Sequence, residues 1–454
     1  MTPKVAVVRN WEGTVVTRPR VIVKPKRMED IRTILENRKA FPSPVRAIGA
    51  NYSQTRCGSA DGGTLIDMTA MNRVLEITEH TVRVQAGAQF SDVASALEQR
   101  GLQLPVNPDL GNITMGAAAV AATRDASMPG DCGQLSSCLV EARLVLPGGK
   151  TITITETQPD LLKLVRSSYG LVGVACELVF RVVPLRAVRL DYETYPLDVF
   201  SKEFPRLVEQ PVALKFYLLP FRDRVTVEFR GHEDESPTSR SGIWSLRKSV
   251  FTNILPAFGS TVSSAVSLPS VRYFLIEQFN SVMRSTLDRA ARNVTVFPIE
   301  WVRKLPRDPG RTRFTYSTWA FPQETFPDLL QEYFTFCRDY YRRIRYRANL
   351  LHLAHRLHKD QGSIFSPSFS GGVVTLDPSS TGDEGWEDFV IEFNEFASQR
   401  GGAPLFNQTR SLTPEQAALA FGPRLKLFNG LRQKLDPDDR LLNAYFAQLL
   451  GTGA

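Results

Sequence analysis

A run of small and polar residues after a predicted strand is the first feature that suggests chemistry. Segment 46–72 is RAIGANYSQTRCGSADGGTLIDMTAMN, and within it Gly49, Ala50, Asn51, Tyr52 and Ser53 directly follow the strand. Because small side chains leave the backbone accessible, several N–H groups could converge there on a pyrophosphate. An ordinary turn would explain this run equally well when it is taken alone.

Two further glycine-containing segments support a ligand at this loop. Segment 112–125, NITMGAAAVAATRD, is too small to fill a core and too apolar for a linker. Such a run suits backbone that lies flat against a large planar ligand, and a tightly packed helix is the alternative. Segment 168–174, SYGLVGV, is another glycine-spaced turn that leads into a strand, and a simple turn explains it as well.

Candidates for catalysis come later in the chain. The predicted strand RFTYSTWAF places Tyr316 and Thr318 on one face and Ser317 and Trp319 on the other, so only one pair can face a ligand.

A cluster of His352, His355, Arg356 and His358 gathers three of the five histidines. On a helix His352 and His355 would share a face, whereas on a strand they would not. A catalytic histidine and purely structural histidines both remain open, and without a partnering carboxylate we predict no metal site.

Composition narrows the class of protein. The chain has 454 residues, 43% of them hydrophobic and 22% charged, which predicts two or three domains with a large core. Its five cysteines show no CxxC pairing, so we expect reduced thiols and a cytoplasmic protein. The sequence predicts neither a secretory signal nor a membrane span, since the most apolar stretch, 251–276, is interrupted by Ser, Asn, Pro and Gly.

The net charge of +8 has a simple interpretation. Its clearest cluster, CRDYYRRIRYR at 337–347, mixes arginine with aromatic residues at helical spacing, which indicates the outside of a helix. We therefore predict no nucleic-acid partner.

Short strand and helix patterns alternate over the first 185 residues or so, which predicts an α+β fold. Longer strand candidates follow, such as VALKFYLLPF and RVTVEFRG, so we place a domain boundary near residue 186. The stretch 238–270 is apolar and rich in Ser, Thr and Pro, and either a lid or a loosely packed connector would account for it. The connector is the preferred interpretation.

Together, these segments resemble the FAD-binding domain of the vanillyl-alcohol-oxidase/para-cresol-methylhydroxylase (PCMH) superfamily. The shared motifs are RAIGANYS, LIDMTAMN, LPVNPDLGNITMGAA, LPGGK and DLLKLVRSSYGLVG, which span about residues 15–185. The tail, LDPDDRLLNAYFAQLL, resembles the end of the aldonolactone and alditol oxidase branch. The resemblance implies a two-subdomain FAD-binding domain formed by residues 1–186 and 402–454. Residues 187–401 would form an inserted substrate domain, an antiparallel sheet flanked by helices.

The same resemblance implies which residues bind FAD. They are Ala47, Ile48, Gly49, Ala50, Asn51, Tyr52, Ser53, Thr114, Gly116, Ala117, Ala121, Thr123, Arg124, Gly173 and Val174.

The chain departs from the family pattern at three places. Many of these oxidases have a histidine joined covalently to the flavin where this chain has Tyr52, so we predict non-covalent FAD, as in the decaprenylphosphoryl-ribose oxidase branch. Arg124 and Asp125 replace a His-Gly pair near the flavin edge; Arg124 could stabilise a reduced anionic flavin, and Asp125 could neutralise it. Gln408, or its neighbour Asn407, stands where that branch has a lysine beside the flavin, and neither amide can act as a base.

We therefore expect hydride transfer from an alcohol carbon of a sugar, lactone or polyol to FAD, with O2, another acceptor or a partner reductase taking the electrons. Tyr316, Arg356, Gln408 and His352 are the candidate catalytic residues. Two alternatives stay open: reduction or desaturation of a C=C bond, as in the similar sterol Δ24 reductase branch, and a flavin-fold protein without catalysis. The substrate, the general base and the oligomeric state are not predicted.

Overall fold

The computed structural model describes residues 6–130, 132–234 and 241–452. In chain order, its strands are β1 (Val8–Arg9), β2 (Val16–Thr17), β3 (Val21–Val23), β4 (Val45–Ile48), β5 (Thr64–Asp67), β6 (Val74–Ile77), β7 (Thr81–Gln85), β8 (Leu102–Gln103), β9 (Leu139–Val145), β10 (Thr151–Thr155), β11 (Val174–Arg181), β12 (Val183–Pro184), β13 (Ala187–Pro196), β14 (Ala213–Leu219), β15 (Arg224–Glu233), β16 (Val294–Val296), β17 (Thr315–Tyr316), β18 (Trp319–Pro322), β19 (His352–Leu357), β20 (Val373–Leu376), β21 (Ser379–Ser380) and β22 (Ala403–Pro404).

The α-helices are α1 (Met28–Glu36), α2 (Phe90–Glu98), α3 (Met115–Val120), α4 (Pro159–Val165), α5 (Leu197–Glu209), α6 (Ser241–Ser249), α7 (Leu255–Ala265), α8 (Pro269–Ala291), α9 (Phe326–Ile344), α10 (Trp386–Ser398), α11 (Pro414–Leu435) and α12 (Ala444–Leu449). A π-helical turn (Val250–Ile254) joins α6 to α7. Short 3₁₀ turns lie at Arg56–Gly58, Met68–Ala70, Leu135–Cys138, Pro298–Trp301, Gly310–Thr312 and Gln323–Thr325.

Two sheets occupy the N-terminal part of the chain. β3, β5 and β4 form a parallel sheet, with α1 leading from β3 towards β4. Helix α1 carries apolar residues at i, i+3 and i+4, and its buried face is Ile31, Ile34 and Leu35. A five-stranded antiparallel sheet follows, in the order β10-β9-β11-β7-β6. The α+β prediction for this part of the chain is therefore confirmed.

The largest sheet has eight strands in the order β16-β13-β15-β14-β19-β20-β18-β22, and every pairing in it is antiparallel. Helices α5 and α9 pack together beside it and bring Phe200, Phe204, Phe216 and Phe326 into one aromatic core. The long strands predicted after residue 186 are present, whereas RFTYSTWAF divides into β17 and β18.

The C-terminal segment returns to the parallel sheet. Its residue Arg440 accepts a backbone hydrogen bond from Val45 at 2.8 Å and donates from its side chain to the carbonyls of Ile34 and Leu35. Helix α11 begins with a capping box between Thr413 and Gln416. These contacts tie the end of the chain to the strand that precedes the Gly49 loop.

The stretch 238–270 is helical rather than a loosely packed connector, so that interpretation was wrong. Residues 238–240 lie outside the described residues, and the rest form α6, the π-helical turn and α7, which pack against α8. The buried positions of this stretch, 244, 247, 250, 252, 255, 256, 259 and 262, recur mostly at intervals of three or four residues. The frequent Ser and Thr residues hid this periodicity because most of them lie on the outer face. Among the described residues, no helix is long and apolar enough to cross a membrane.

Candidate functional site

A deep cleft lies where the loop after β4, the segment around α3 and one face of the eight-stranded sheet meet. It encloses about 1470 Å³, counted out to its solvent-facing mouth. The predicted cofactor residues that line it are Ala47, Ile48, Gly49, Ala50, Asn51, Tyr52, Ser53, Thr114, Ala117, Ala121, Thr123 and Arg124. We call it the main cleft.

The loop after β4 lies directly on the N-terminus of α3. A Cβ atom at Gly49 would stand 2.0 Å from Thr114 Oγ1, so only glycine allows this approach. Asn51 adopts a positive φ of 58° and its side chain donates to the carbonyl of Arg9 at 3.0 Å. The loop is therefore held open towards the main cleft by close backbone packing.

Three predicted cofactor residues lie elsewhere. Gly116 donates its N–H to the Ala86 carbonyl at 2.7 Å, and a Cβ there would stand 2.8 Å from that oxygen. Gly173 lies against the backbone of Val145, and Val174 pairs with the same residue in the five-stranded sheet. These glycines permit close packing between elements, and none of the three residues lines the main cleft.

Arg46 joins the main cleft to the C-terminal segment. It donates to the carbonyls of Leu441, Cys57 and Tyr169, the first two at 2.8 Å. Burial lowers the pKa of Arg46 to about 10, so the guanidinium stays charged near neutral pH. The ring of Tyr169 lines the main cleft and packs edge-on against Phe406.

On the opposite wall, Tyr316 faces the main cleft and burial raises its pKa to about 12. Its neighbour on the same face, Thr318, accepts a hydrogen bond from Arg124 at 3.2 Å. Trp319 points the other way and donates to Asn394 at 2.8 Å. Of the two faces that the sequence left open, the one with Tyr316 and Thr318 is turned towards the main cleft.

Arg124 pairs with Asp377 rather than with its neighbour Asp125. Its Nη2 lies 2.8 and 3.0 Å from the two carboxylate oxygens, and both side chains are only 6% exposed. Asp125 instead accepts from Arg230 at 2.7 Å. Asp125 therefore does not neutralise Arg124; Asp377, which follows β20, pairs with Arg124, while Asp125 pairs with Arg230 of β15.

The histidine cluster lies on strand β19, where alternate side chains point in opposite directions. His355 lines the main cleft, with Nδ1 3.1 Å from Asp377 Oδ2 and 3.1 Å from Arg124 Nη1. Burial lowers the pKa of His355 below its usual value of 6.5. The ring is therefore neutral at physiological pH and can accept a proton.

His352 and Arg356 lie on the other face of β19 and do not line the main cleft. His352 Nδ1 lies 2.6 Å from the Tyr333 hydroxyl, and burial lowers the pKa of His352 to about 4. Arg356 donates to Gln323 at 2.8 Å. Because alternate side chains of β19 point to opposite sides, His352 and Arg356 share one face of the strand and His355 lies on the other.

The segment that replaces the family lysine does reach the main cleft. Asn407 and Gln408 both line it, and both side chains donate to the carbonyl of Ala122, at 3.0 and 2.9 Å. Gln408 Oε1 in turn accepts from Thr318 at 3.4 Å. Gln408 thus joins the α3 segment to the strand segment that carries Tyr316.

Comparison with known proteins now becomes informative. Residues 19–155 match the family model described as an FAD binding domain. The chain is 25% identical over 446 residues to L-gulono-1,4-lactone dehydrogenase of Mycobacterium tuberculosis, covering 97% of this chain and 98% of that protein. L-gulonolactone oxidase of Bos taurus is 21% identical over 97% of both chains. Among solved structures, cholesterol oxidase from B. sterolicum superposes with a TM-score of 0.76 at 15% identity, over 98% of this chain and 97% of that one.

Residues 19–155 thus carry an FAD binding domain, and the chain is an FAD-linked oxidoreductase. FAD is its cofactor, and the fold, helices combined with a large antiparallel sheet, matches that of the cholesterol oxidase structure.

The residues of the main cleft fit this cofactor. Gly49 and Ala50 leave the backbone of the loop accessible, and the wall made by Ala117, Ala121 and Ala122 is small enough for a flat ring to approach. Asn407 Oδ1 and Arg124 Nε are buried polar atoms without a hydrogen-bond partner among the described residues. Such atoms are expected where a polar ligand completes the site.

Sequence reasoning named His355 only as a member of the histidine cluster, with His352 as the catalytic candidate, and did not identify Asp377. Strand alternation left open whether His352 or His355 faces the main cleft. The buried run Val373–Leu376 indicates a central strand that ends just before Asp377. Nothing in the sequence links Asp377 to Arg124, since 253 residues separate them.

Proposed function

We propose that the protein oxidises an alcohol carbon of a sugar, lactone or polyol-like compound. The observation that carries the proposal is the joint presence in the main cleft of His355, Tyr316 and Gln408 opposite the Gly49 loop. Alcohol oxidation needs a hydride acceptor and a base for the hydroxyl proton. FAD, when bound, supplies the hydride acceptor. The naming of two full-length relatives as lactone-acting enzymes supports a sugar-like substrate.

His355 is the proposed base. In the tautomer that carries its proton on Nδ1, the ring donates to Asp377, Arg124 Nη1 makes no hydrogen bond to that nitrogen, and Nε2 keeps a free lone pair. Burial keeps the ring neutral, and the Asp377 carboxylate stabilises the imidazolium that forms when Nε2 takes the proton. This assignment replaces the base that Gln408 cannot provide.

Tyr316 and Gln408 are proposed to orient the substrate. The raised pKa of Tyr316 keeps its phenol protonated, so it can donate a hydrogen bond to a substrate oxygen. Gln408 is held by Ala122 and Thr318, so it presents a fixed amide rather than a mobile one. Neither residue needs to change its protonation state during the reaction.

Arg124 is proposed to set the charge of the main cleft. Burial alone would raise the pKa of Asp377, but the arginine outweighs it and holds that pKa below its usual value. The pair is neutral overall, yet its guanidinium still offers Nε towards an anionic ligand. Positive charge at this place favours the reduced, anionic form of the cofactor.

We propose the same division of the chain as the sequence suggested. Residues 1–186 and 402–454 would form the FAD-binding domain and residues 187–401 the substrate domain. The contacts of Arg440 with the parallel sheet support the first part, and the eight-stranded sheet, which begins at β13, supports the second. The proposed cofactor attachment is non-covalent, because Tyr52 occupies the position of the linking histidine.

Anaerobic reduction of the holoenzyme tests the function. The oxidised flavin is mixed with a panel of alditols and aldonolactones, and loss of its absorbance near 450 nm is followed. We expect at least one polyol or lactone to bleach the flavin. If no alcohol does so, while dithionite-reduced enzyme is reoxidised by an enone, the reaction is C=C reduction instead.

A further inference from the structure

A second cavity adjoins the main cleft on the side of the eight-stranded sheet. It measures about 860 Å³ when the space open to solvent is counted, and it shares Asp109, Arg303, Phe314, Leu353 and Ser379 with the main cleft. Because the two spaces have a common wall, a ligand that reacts in the main cleft can extend into the second cavity. We infer that the substrate carries a carboxylate or phosphate group, bound in the second cavity between Arg303 and Lys248. The inference rests on the proposed function, because it treats both spaces as one substrate site.

Cations outnumber carboxylates around the second cavity. Its wall contains the five cations Lys215, Arg230, Arg247, Lys248 and Arg303 but only the two carboxylates Asp109 and Glu228. A buried excess of positive charge is costly unless a counter-charge is present. The question is therefore which cations are already paired within the protein.

Three of the five cations have short-range partners. Lys215 lies 2.6 Å from Asp109, and Arg230 lies 2.7 Å from both Glu228 and Asp125. Arg247 contacts Glu228 at 3.0 Å, and it also reaches Asp288 at 3.1 Å. These three side chains form a compact network whose charges are balanced inside the protein.

Arg303 and Lys248 are the other two. The nearest carboxylate to Arg303 is Asp109 at 3.7 Å, beyond hydrogen-bond distance and already in contact with Lys215. The Arg303 side chain is only 17% exposed, yet within the described part of the chain its guanidinium makes no hydrogen bond. Lys248 has no ion pair among the same residues. Both therefore have donors available for an anion.

Arg303 and Lys248 both line the second cavity. Both also line a neighbouring outer pocket that contains the hydroxyls of Ser245, Ser249 and Thr252. Thr252 is only 5% exposed, and its hydroxyl has no partner among the described residues. Two cations and an unpaired hydroxyl in one place match the several acceptor oxygens of a carboxylate or phosphate.

Aromatic rings cover the rest of the second cavity. Tyr217, Trp244, Phe251, Trp301 and Phe314 line it, and Trp244 Nε1 is a buried donor without a partner in the described residues. Flat rings suit the C–H faces of a carbon skeleton, and a free indole N–H suits a hydroxyl on it. The second cavity therefore fits a hydroxylated carbon chain that ends in an anionic group.

A π-helical turn helps to form this wall. Val250–Ile254 carries Phe251, and Leu255 and Pro256 follow it along the second cavity. Proline at 256 has no N–H to donate to the preceding turn, and the wider π-helical turn accommodates that loss. Such turns are frequent at binding sites, since they project side chains out of the regular helical register.

Three six-carbon polyols that differ only in their terminal group test the inference. D-glucitol is neutral, D-gluconate carries a carboxylate at C1, and D-glucitol 1-phosphate carries a phosphate at the same carbon. Each is titrated anaerobically into the holoenzyme with dithionite-reduced flavin, which cannot accept a hydride, at constant ionic strength, and binding is measured by isothermal titration calorimetry. We expect at least one acid to bind at least about tenfold more tightly than D-glucitol. The ratio of the affinities for the two acids then shows whether the site prefers a carboxylate or a phosphate.

Charge-removing variants locate the anion. R303Q and K248Q should each lower the affinity for the more tightly bound acid by about tenfold, and each should change the affinity for D-glucitol much less. The matched control is R206Q, which removes one positive charge at an exposed residue that pairs with Glu203 and lines none of these spaces, and which should change the affinity less than about twofold. Equal binding of D-glucitol and both acids, no binding of either acid, or an R303Q variant with unchanged affinity would overturn the inference.

The readout needs no turnover, so the two proposals fail separately. An enzyme that binds the acid through Arg303 but is never bleached by an alcohol would contradict the proposed function alone. An enzyme that is bleached by neutral polyols, with no preference for their acids, would contradict the anionic group alone.

Discussion

Arg124 and Asp377 form a buried ion pair in which one nitrogen, Arg124 Nη2, lies 2.8 and 3.0 Å from the two carboxylate oxygens. The arginine belongs to the segment after α3, and the aspartate follows β20 of the eight-stranded sheet. His355 Nδ1 lies 3.1 Å from each partner. One ion pair therefore holds the two walls of the main cleft together and also positions the proposed base.

Removal of one member of the Arg124–Asp377 pair should lower the free energy of unfolding much more than removal of both. R124M leaves the Asp377 carboxylate buried without its counter-charge, and we expect the free energy of unfolding to fall by about 3–5 kcal/mol. The double variant R124M/D377L replaces the pair by apolar groups and should recover most of that loss. Urea unfolding of the holoprotein, followed by circular dichroism, measures both. A double variant no more stable than R124M would show that the charges are not coupled.

The Gly49 loop gives a test of cofactor binding. A Cβ at Gly49 would stand 2.0 Å from Thr114 Oγ1, so G49V should push the loop away from α3 and reduce FAD binding at least about tenfold. The measurement is the flavin content of the folded protein and its Kd for added FAD. The control is G148A, since a Cβ at Gly148 would meet nothing within 4 Å. Unchanged FAD binding in G49V would contradict the loop assignment.

Tyr52 should decide how the flavin is attached. Burial raises the pKa of Tyr52, so its phenol is protonated and a poor nucleophile. Acid precipitation of the wild-type protein should release all of the flavin into solution. In Y52H, which restores the histidine found in many relatives, we expect part of the flavin to stay with the pellet. Wild-type protein that keeps its flavin in acid would refute the non-covalent prediction.

His352 should make stability depend on pH. Its folded-state pKa of about 4 lies below the usual 6.5, so between those values the unfolded chain binds more protons. Stability is therefore fully present above pH 6.5 and falls as the pH drops towards 4, by up to about 3 kcal/mol from this group.

H352Q isolates that contribution from those of the other histidines. Glutamine can still contact the Tyr333 hydroxyl but does not titrate, so the variant should lose less stability than wild type between pH 6.5 and 4. Urea unfolding at several pH values measures the difference. Identical pH profiles for the two proteins would mean that His352 is not buried in its neutral form.

Sequence patterns predicted the FAD side of the main cleft better than its substrate side. The loop residues 49–53 and the small residues after Thr114 are consecutive in sequence, so their local composition carries the signal. Gly116 and Gly173 belong to the same motifs but serve packing, because a glycine that meets a neighbouring backbone and one that meets a ligand look alike in a sequence.

The substrate side depends on contacts between distant segments. Asp377, His355 and Arg124 come from three separate parts of the chain, and only the pairing of β19 with β14 and β20 brings them together. The choice between His352 and His355 required knowing which face of β19 the main cleft covers. The helices of 241–265 were missed because Ser and Thr on the exposed face obscured the apolar period.

The central claim is that this flavoenzyme oxidises an alcohol with His355 as the base. Its most direct test is the rate of anaerobic flavin reduction by the best polyol or lactone, measured against pH in wild type, H355Q and the control H358Q. His358 does not line the main cleft. The pKa of His355 is lowered, so the wild-type rate should be constant at neutral pH and fall only below pH 6.5. H355Q should keep its FAD and lose about 100-fold or more in rate, while H358Q behaves as wild type. An H355Q enzyme that retains the wild-type rate and pH profile would contradict the account.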